Sequence, residues 1–369
     1  MSGETLSAVE GARLALAAQH LLEPAPPGPV AGLAGHLAGI QAQLMTSPGL
    51  AAFHRLRGYV PGSLERELEP GGSLARVWCM RGTLHVVPSF EAGLFLCATA
   101  PAWFERWGRH MERLQDTFQD REPLRRVVLA ALEEGPRDRV QLATALEALG
   151  RRVPLYAILK ELNYLGLVVP VGAGLRPRYD LATRVLPHAG PVARKPGDPG
   201  ARAARDELLR RYFRAYGPAT LADFAWWSGL TVAEARDSLD RAGEGLQAVR
   251  LAGQRAPAYL YPRTAPAGEL PTALLGPFEP LILGYRDRSR FLDPANRKLV
   301  VGPTGMVAAV VLHRGRIVAT WKTCRRSDGL EVTVTPFAHP DGGARATTAS
   351  AARRLQDYYG IPLREVRWV

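Results

Sequence analysis

The chain has 369 residues, of which 47% are hydrophobic, and its formal net charge at pH 7 is +12. No apolar run approaches the roughly 20 residues of a membrane-spanning helix, and the three cysteines at 79, 97 and 324 are too scattered for a disulfide framework or a zinc site. The first ten residues lack the basic segment of a secretory signal, so we expect a cytoplasmic protein with no membrane partner. The charge fits a polyanion partner, but lysine occurs at only four positions, and a GC-rich coding sequence also produces such an arginine bias.

The first region is predicted to form three helices, over 7–22, 29–45 and 49–57. The second of them carries apolar residues between Leu33 and Leu44 at spacings of four, three and four, typical of a buried helical face. Pro48 blocks continuation of that helix, so we expect Gln41 and Gln43 in its last turn, where both amides can converge on one site. A pair of solvated surface amides is the alternative.

A β-hairpin follows these helices, with strands at 75–80 and 83–87 joined by Arg81-Gly82. Three helices followed by a hairpin are typical of a winged helix, a unit that ordinarily contacts duplex DNA, although many copies bind only protein. The same order returns twice, which indicates a tandem array. The later copies have helices at 124–132, 139–149 and 155–162 with strands at 167–171 and 176–180, then helices at 206–216, 220–227 and 231–241 with strands at 246–251 and 258–261, and helices within 89–117 brace the first copy against the second.

Short strands are predicted from residue 270 onward. They lie at 281–284, 298–301, 306–312, 316–321 and 330–336, followed by a helix at 348–359 and a strand at 364–369. We therefore predict an α+β fold of three winged helices and a C-terminal β-rich module. The predicted boundaries are 1–118 for the first unit with its bracing helices, 119–196 for the second with a linker, 197–265 for the third and 266–369 for the module.

Two basic loops of this last region are predicted to protrude and to contact DNA phosphates or the minor groove. Solvated arginine-rich loops are the alternative. The candidate residues are Arg286 and Arg288 in the loop 286–290, and His313, Arg314 and Arg316 at a hairpin tip.

The sequence contains none of the common cofactor or metal motifs. The eight histidines show no metal-ligand spacing, and there is no Walker loop, G-x-G-x-x-G or G-x-S-x-G. We expect no cofactor and no metal. A catalytic role would have to use weak groups on an unusually reactive substrate.

Four stretches resemble, in the same order, the AlkZ/YcaQ family of winged-helix DNA glycosylases: Gly39–Gln43, Met80–Pro88, Gly217–Leu230 and Gly284–Ser289. The resemblance covers essentially the whole chain. It implies three tandem winged helices that form a C-shaped channel, and hydrolysis of the N-glycosidic bond of alkylated bases. Gln41 and Gln43 match the glutamines of the family's Gln-aliphatic-Gln motif. An Asp stands at position 43 in the YcaQ-like branch, so the resemblance implies the AlkZ-like branch, associated with self-resistance to DNA-alkylating natural products.

The chemistry of an alkylated guanine agrees with two neutral catalytic amides. Alkylation at N7 gives the base a positive charge, so the base leaves neutral and needs little protonation. The amide carbonyls can orient a water at C1′ and stabilise the cationic sugar. A bulky adduct need not enter a tight pocket, so extrusion of the nucleotide is not required. We expect a monofunctional glycosylase, without lyase activity, that excises bulky N7-alkylguanine adducts from double-stranded DNA and needs no obligate protein partner.

Further residues are assigned roles around the glutamines. Arg81 and His85 in the first hairpin are candidate DNA contacts. His36 and His54, near the glutamines in sequence, are expected to pack in the core or line the groove, and are candidates to support the glutamines. The two tryptophans 226 and 227 are expected to fill the core of the third unit. A non-enzymatic DNA-binding regulator, and a glycosylase that mainly unhooks interstrand cross-links, are the alternatives.

Overall fold

The fold is mixed α+β, with helices and several sheets alternating along the chain. It is seen in a computed structural model that describes residues 4–113, 121–147, 155–174, 176–188, 192, 195 and 197–369. Parts of the predicted elements at 89–117 and 139–149 lie outside these residues. Within the described ranges, no helix is long and apolar enough to cross a membrane.

The first region places a small antiparallel sheet against several helices. Ser7 and Glu10 form the predicted capping box at the start of the first helix. The predicted hairpin is confirmed, and a third strand joins it in the order β2-β4-β3. The elements are β1 (Thr5–Leu6), α1 (Ala8–Ala18), α2 (Val30–His36), β2 (Ile40–Gln41), α3 (Thr46–Arg55), α4 (Ser63–Glu67), β3 (Leu74–Trp78) and β4 (Leu84–Pro88).

The predicted helix over 29–45 is wrong beyond His36, where α2 ends. Ala38 and Gly39 after it have φ +53° and +93°, in the left-handed region that ends helices. Glycine adopts such a conformation at position 39 without strain. A Cβ at this position would lie 3.1 Å from Met80 Cε and 3.2 Å from Val87 Cγ1, so the hairpin packs closely against the glycine. The chain therefore turns into β2, so Gln41 lies in a strand and Gln43 follows it, instead of both residues lying at a helix end.

The second region consists of helices and a two-stranded antiparallel hairpin, as predicted. Its helix α8 docks on the first hairpin through Asn163, which accepts from the Trp78 N–H (3.2 Å) and donates to the Trp78 carbonyl (2.9 Å). The Tyr164 hydroxyl adds a bond to the Cys79 carbonyl (2.6 Å). The elements are α5 (Ala92–Arg113), α6 (Glu122–Glu133), α7 (Arg139–Glu147), α8 (Leu155–Tyr164), β5 (Val168–Val171), β6 (Arg178–Leu181) and α9 (Ala182–Val185).

The third region repeats the predicted order of helices and strands, and Thr231 and Glu234 form the predicted capping box. Its sheet has the order β1-β8-β9-β7, in which β1 from the N-terminal region pairs in parallel with β8. The elements are α10 (Pro199–Tyr216), β7 (Ala219–Thr220), α11 (Leu221–Ser228), α12 (Val232–Ala242), β8 (Gln247–Leu251) and β9 (Ala258–Leu260).

The last region is built on a five-stranded sheet, β10-β11-β12-β13-β14, in which only the β13–β14 pair is parallel. The predicted strands at 281–284 and 298–301 are wrong, because these runs form short helices. Pro280 in the first helical turn and the Glu279 carboxylate, which accepts from the Leu281 N–H, start the first of them. The elements are β10 (Thr272–Leu275), α13 (Pro280–Leu283), α14 (Arg297–Val300), β11 (Val310–His313), β12 (Arg316–Arg326), β13 (Gly329–Pro336), α15 (Gly342–Arg353), α16 (Leu355–Tyr359) and β14 (Leu363–Trp368).

Candidate active site

The C-terminal end of α10 connects three of the four sequence stretches that carry the family resemblance, because the third stretch follows Tyr216 directly and Tyr212 and Tyr216 bond to the fourth stretch and beside the first. The Tyr216 hydroxyl donates to the Leu37 carbonyl (3.0 Å), two residues before the first stretch. The Tyr212 hydroxyl donates to the Gly284 carbonyl (2.7 Å), and the Tyr285 hydroxyl donates to the Tyr216 carbonyl (2.8 Å). All these tyrosines are buried. The helix thereby ties the first stretch to the fourth.

Asp223 joins the third stretch to the fourth. Its buried carboxylate accepts from the backbone N–H groups of Arg286 (2.8 Å) and Asp287 (3.2 Å) through Oδ1. Oδ2 accepts from the N–H (2.9 Å) and hydroxyl (2.8 Å) of Thr220. The start of the loop 286–290 is therefore fixed on the N-terminus of α11.

Gln41 lies in β2 directly opposite His85 of β4. The Ala42 N–H donates to the Leu84 carbonyl (2.8 Å), which makes Gln41 and His85 a narrow, non-hydrogen-bonded pair with both side chains on the same face. Gln41 is buried, with 6% of its surface exposed, whereas Gln43 is exposed. Gln41 is the last residue of β2 and Gln43 lies in the bend after it, so the regular alternation of side chains along a strand does not fix the direction of the Gln43 side chain.

Arg81 holds the Gln41 amide in a defined orientation. It lies in the turn between β3 and β4 with φ +54°. Its Nη2 donates to Gln41 Oε1 (3.1 Å), and its Nη1 donates to the Trp227 carbonyl (2.7 Å). Burial lowers the pKa of Arg81 to about 10, so this residue stays a cation at neutral pH. Because a guanidinium only donates, the contact fixes the carbonyl end of the Gln41 amide toward Arg81.

The indole of Trp226 lies against two guanidinium groups. Arg81 Cζ and Arg288 Cζ are each 4.7 Å from the centroid of the Trp226 ring, within cation–π distance. Arg288 is buried, and its Nε donates to the Ile282 carbonyl (2.8 Å). Trp227 is buried in the core as expected, whereas Trp226 is half-buried and links the first hairpin to the loop 286–290.

His85 is a neutral neighbour of Gln41. Burial, reinforced by the charge of Arg81, lowers its pKa to about 3. Its Nδ1 lies 3.0 Å from the Thr83 carbonyl, which can only accept, so Nδ1 carries the proton. With 2% of its surface exposed, His85 offers no surface to DNA in this structure.

The other two predicted histidines make contacts that do not involve the glutamines. His36 Nε2 donates to the Ala18 carbonyl (2.7 Å), and the ring lies 4.5 Å from that of His20. His54 Nε2 donates to the Leu274 carbonyl (2.8 Å), and burial lowers the pKa of His54 to about 3. Both rings are bound to backbone, one beside α1 and one beneath β10.

The loop 286–290 is only partly exposed, so the expectation that it protrudes is wrong for two of its arginines. Arg286 is exposed, but Arg288 and Arg290 are buried. Arg290 Nη1 donates to the Pro218 carbonyl (2.7 Å). These two guanidinium groups hold the loop against the third region.

The predicted hairpin tip at 313–316 is confirmed between β11 and β12. Gly315 is buried, and a Cβ there would lie 2.7 Å from Leu270 Cδ1, so this part of the tip packs against Leu270. His313 Nδ1 is hydrogen-bonded to the Thr272 hydroxyl (2.8 Å). Arg314 and Arg316 are exposed, and Arg316 Nη1 also donates to the Ser289 carbonyl (2.8 Å). The tip therefore leans on the loop 286–290.

Sequence reasoning missed the structural roles of Asp223 and Trp226. Thr220 followed three residues later by Asp223 is a capping pair, which indicates a polar residue fixed at a helix start. Nothing local to Trp226 indicates its contacts, because both guanidinium groups come from distant parts of the chain. Among the described residues, no group of three or more His, Cys, Asp or Glu could hold a metal ion.

Comparisons with known proteins find a family model, a relative and a solved structure that match this chain. The family model "DNA glycosylase AlkZ-like" matches residues 34–358. An interstrand DNA cross-link repair glycosylase from Streptomyces sahachiroi is 28% identical over 345 residues, covering 86% of this chain and 88% of that protein. The solved structure of the Streptomyces sahachiroi DNA glycosylase AlkZ matches with a TM-score of 0.82 and 24% identity, over 99% of this chain and 100% of that one. The last likeness shows a shared fold.

Proposed function

The chain belongs to the AlkZ-like family of DNA glycosylases, and we propose that it hydrolyses the N-glycosidic bond of bulky N7-alkylguanine adducts through Gln41 and Gln43. One observation carries the assignment of the site. Gln41 is oriented by Arg81 at the point where the four family stretches meet. A surface amide of no consequence would not be buried and held by a cation from the neighbouring turn.

The reaction needs little from the protein beyond the placement of a water. The water oxygen forms a bond to C1′ as the bond from C1′ to N9 breaks, and the electron pair of that bond cancels the positive charge of the alkylated ring. The water releases its proton to solvent. Gln41 Oε1 has a second lone pair besides the one that Arg81 occupies, and that lone pair can hold the water. Gln43, which is exposed, supplies the second amide.

The site is suited to hydrolysis without strand cleavage. Neither amide can form a Schiff base with the opened sugar, so the product is an abasic site and the enzyme has no lyase activity. His85 is neutral above its pKa of about 3 and adds no charge near the sugar. Because neither catalytic position carries a carboxylate, the enzyme spares undamaged bases. These bases are neutral and would need more assistance to leave than two amides can give.

Three tandem winged helices account for the arrangement of the elements. Each of the first three regions has helices followed by an antiparallel hairpin, namely β3–β4, β5–β6 and β8–β9. The strand β1 pairs with β8 of the third unit. We propose the unit boundaries 1–118, 119–196, 197–265 and 266–369, with β1 added to the sheet of the third unit. The units enclose a C-shaped channel for duplex DNA, and the exposed Arg286, Arg314 and Arg316 contact phosphates or the minor groove.

A second candidate substrate is an N7-linked interstrand cross-link. It is favoured by the name of the relative from Streptomyces sahachiroi, an interstrand cross-link repair glycosylase. The chemistry at C1′ is the same for a monoadduct and a cross-link. In either case the biological role is protection of a cytoplasmic genome against a DNA-alkylating natural product.

Release of the free base from defined duplexes tests the proposal. Oligonucleotides carrying N7-methylguanine, a bulky N7-alkylguanine or an N7 cross-link are incubated with the full chain, and products are scored as free base and as alkali-labile abasic sites. Gln41→Ala and Gln43→Ala should each lower the rate by about 100-fold or more, the usual cost of losing one oriented catalytic dipole. Gln356→Ala, an exposed amide on α16, is the matched control and should leave the rate unchanged.

Two results would overturn the proposal. Base release that survives the loss of both amides would place the catalytic groups elsewhere. Tight binding to a single operator sequence, with no base released from any adduct, would support the DNA-binding regulator instead.

A further inference from the structure

A cavity of about 240 Å³ is lined in part by Arg81, the residue that donates to Gln41 Oε1. Three separate elements line it: the turn between β3 and β4 contributes Arg81, α5 contributes Trp103, Arg106 and Trp107, and α8 contributes Lys160. Three of these side chains are cations and two are indoles. None of the described lining residues is acidic.

The cations have no acidic partner among the described residues. Arg106 donates through Nη1 to the Gly229 carbonyl. Lys160 is half-buried, and its Nζ lies 5.7 Å from the centroid of the Tyr156 ring. A Cβ at Gly82 would be 2.9 Å from Lys160 Nζ, so the ammonium abuts the same turn that carries Arg81.

Concentrating these charges in a lining that has no acidic side chain among the described residues is unfavourable. Burial, with a further contribution from Arg106, lowers the pKa of Lys160 to about 8. The stacked indoles of Trp103 and Trp107, 5.4 Å apart, form an apolar wall that cannot offset the charge. An anion in the cavity would relieve the repulsion and would be met by N–H donors of Lys160 and Arg106 that bind no other group in the described part of the chain.

We propose that this cavity binds a phosphodiester group of the DNA strand, with Lys160 and Arg106 as its ligands, beside the nucleotide on which Gln41 acts. The assignment rests on the proposed glycosylase function for its choice of anion. Arg81 forms part of the cavity wall and also donates to Gln41 Oε1, so a phosphate held here fixes the strand relative to the amide. The cavity is therefore a register site that sets which nucleotide faces the glutamines.

Salt titrations of DNA binding give the first test. Affinity of the full chain for an undamaged duplex is measured by fluorescence anisotropy over a range of KCl concentrations. Lys160→Gln and Arg106→Gln should each reduce the slope of log K against log[salt] by about 0.9, the value for one lost phosphate contact. Lys322→Gln removes an exposed lysine from β12 and is the matched control, with no change of slope expected.

Acetylation of the wild-type chain gives a second test that needs no variant to fold. The chain contains only four lysines, so mass spectrometry can follow each one. A duplex should slow acetylation of Lys160 and leave that of Lys322 unchanged. Equal reactivity of Lys160 with and without duplex, together with unchanged salt slopes, would overturn the proposal. Protection by inorganic phosphate but not by duplex would also overturn it, because the site would then serve a free phosphate.

Neither readout depends on base release. If the chain binds undamaged duplex through Lys160 but releases no base from any adduct, the register site stands and the proposed reaction fails. If base release depends on the glutamines while Lys160 remains unprotected, the reaction stands and the register site fails.

Discussion

Replacing Arg81 with lysine asks whether this residue acts through Gln41. Lysine keeps the positive charge, but a single ammonium cannot reproduce the fork that donates to both Gln41 Oε1 and the Trp227 carbonyl. A hydrogen bond with a charged donor contributes about 1.5–3 kcal/mol. If the whole of this hydrogen-bond free energy stabilises the transition state, its loss in Arg81→Lys lowers the rate of base release by about 10- to 150-fold.

The assay is single-turnover release of N7-methylguanine at saturating enzyme, with DNA affinity and thermal unfolding measured on the same variants. Arg288→Lys is the matched control, because Arg288 stacks on Trp226 at the same distance of 4.7 Å and its side-chain hydrogen bonds to described residues go to backbone carbonyls. Its rate should stay within about threefold of the wild type, since no contact to Gln41 is lost.

A double-mutant cycle separates an effect through Gln41 from an independent one. In a Gln41→Ala background, Arg81→Lys should cause no further loss of rate. If the two losses multiply instead, Arg81 acts on the reaction directly and the positioning role is refuted. A wild-type rate for Arg81→Lys in a folded protein would refute it equally.

Two further predictions concern stability and are read by urea unfolding. Gly39→Ala should lower the free energy of unfolding by about 1–3 kcal/mol, because the residue has φ +93° and close neighbours. Gly32→Ala is the control: it has open space around it inside α2 and should raise the free energy of unfolding by about 0.5–1 kcal/mol. Equal effects of the two substitutions would contradict the chain reversal at Gly39. Burial lowers the pKa values of His54 and His85 from 6.5 to about 3, so between these pH values the two rings take up protons only on unfolding. The free energy of unfolding is therefore highest above pH 6.5 and declines below it, by about 2 kcal/mol for each histidine at pH 5. Equal stability at pH 7.5 and pH 5 would show that these rings are not held neutral.

Local rules predicted much of the fold. The capping boxes at Ser7 and Thr231 and the hairpin turn at Arg81-Gly82 depend on residues a few positions apart, and all three form as expected. The predicted helix over 29–45 was wrong because a spacing of three and four residues indicates which residues are buried, and does not by itself distinguish a helix from a turn or strand that buries the same residues. The apolar residues from Leu33 to Ile40 are buried in α2, in the turn after it and in β2 alike.

The site was predictable only in part. The Gln-Ala-Gln motif can be read from the sequence, but the contact from Arg81 to Gln41 spans 40 positions and the one to Trp227 spans 146. Only tertiary packing brings such groups together. The same reasoning explains His54, which is close to the glutamines in sequence but is bound to Leu274, 220 positions away.

In the proposed reaction, two neutral amides suffice because the damaged base already carries the activating charge. The most direct measurement compares single-turnover release from matched duplexes carrying cationic N7-methylguanine or a neutral lesion such as hypoxanthine or uracil. We expect release of N7-methylguanine and no release of the neutral bases above the spontaneous rate. Comparable release of a neutral base by the wild-type chain would contradict it, since the amides would then have to supply the assistance that the charge was held to provide.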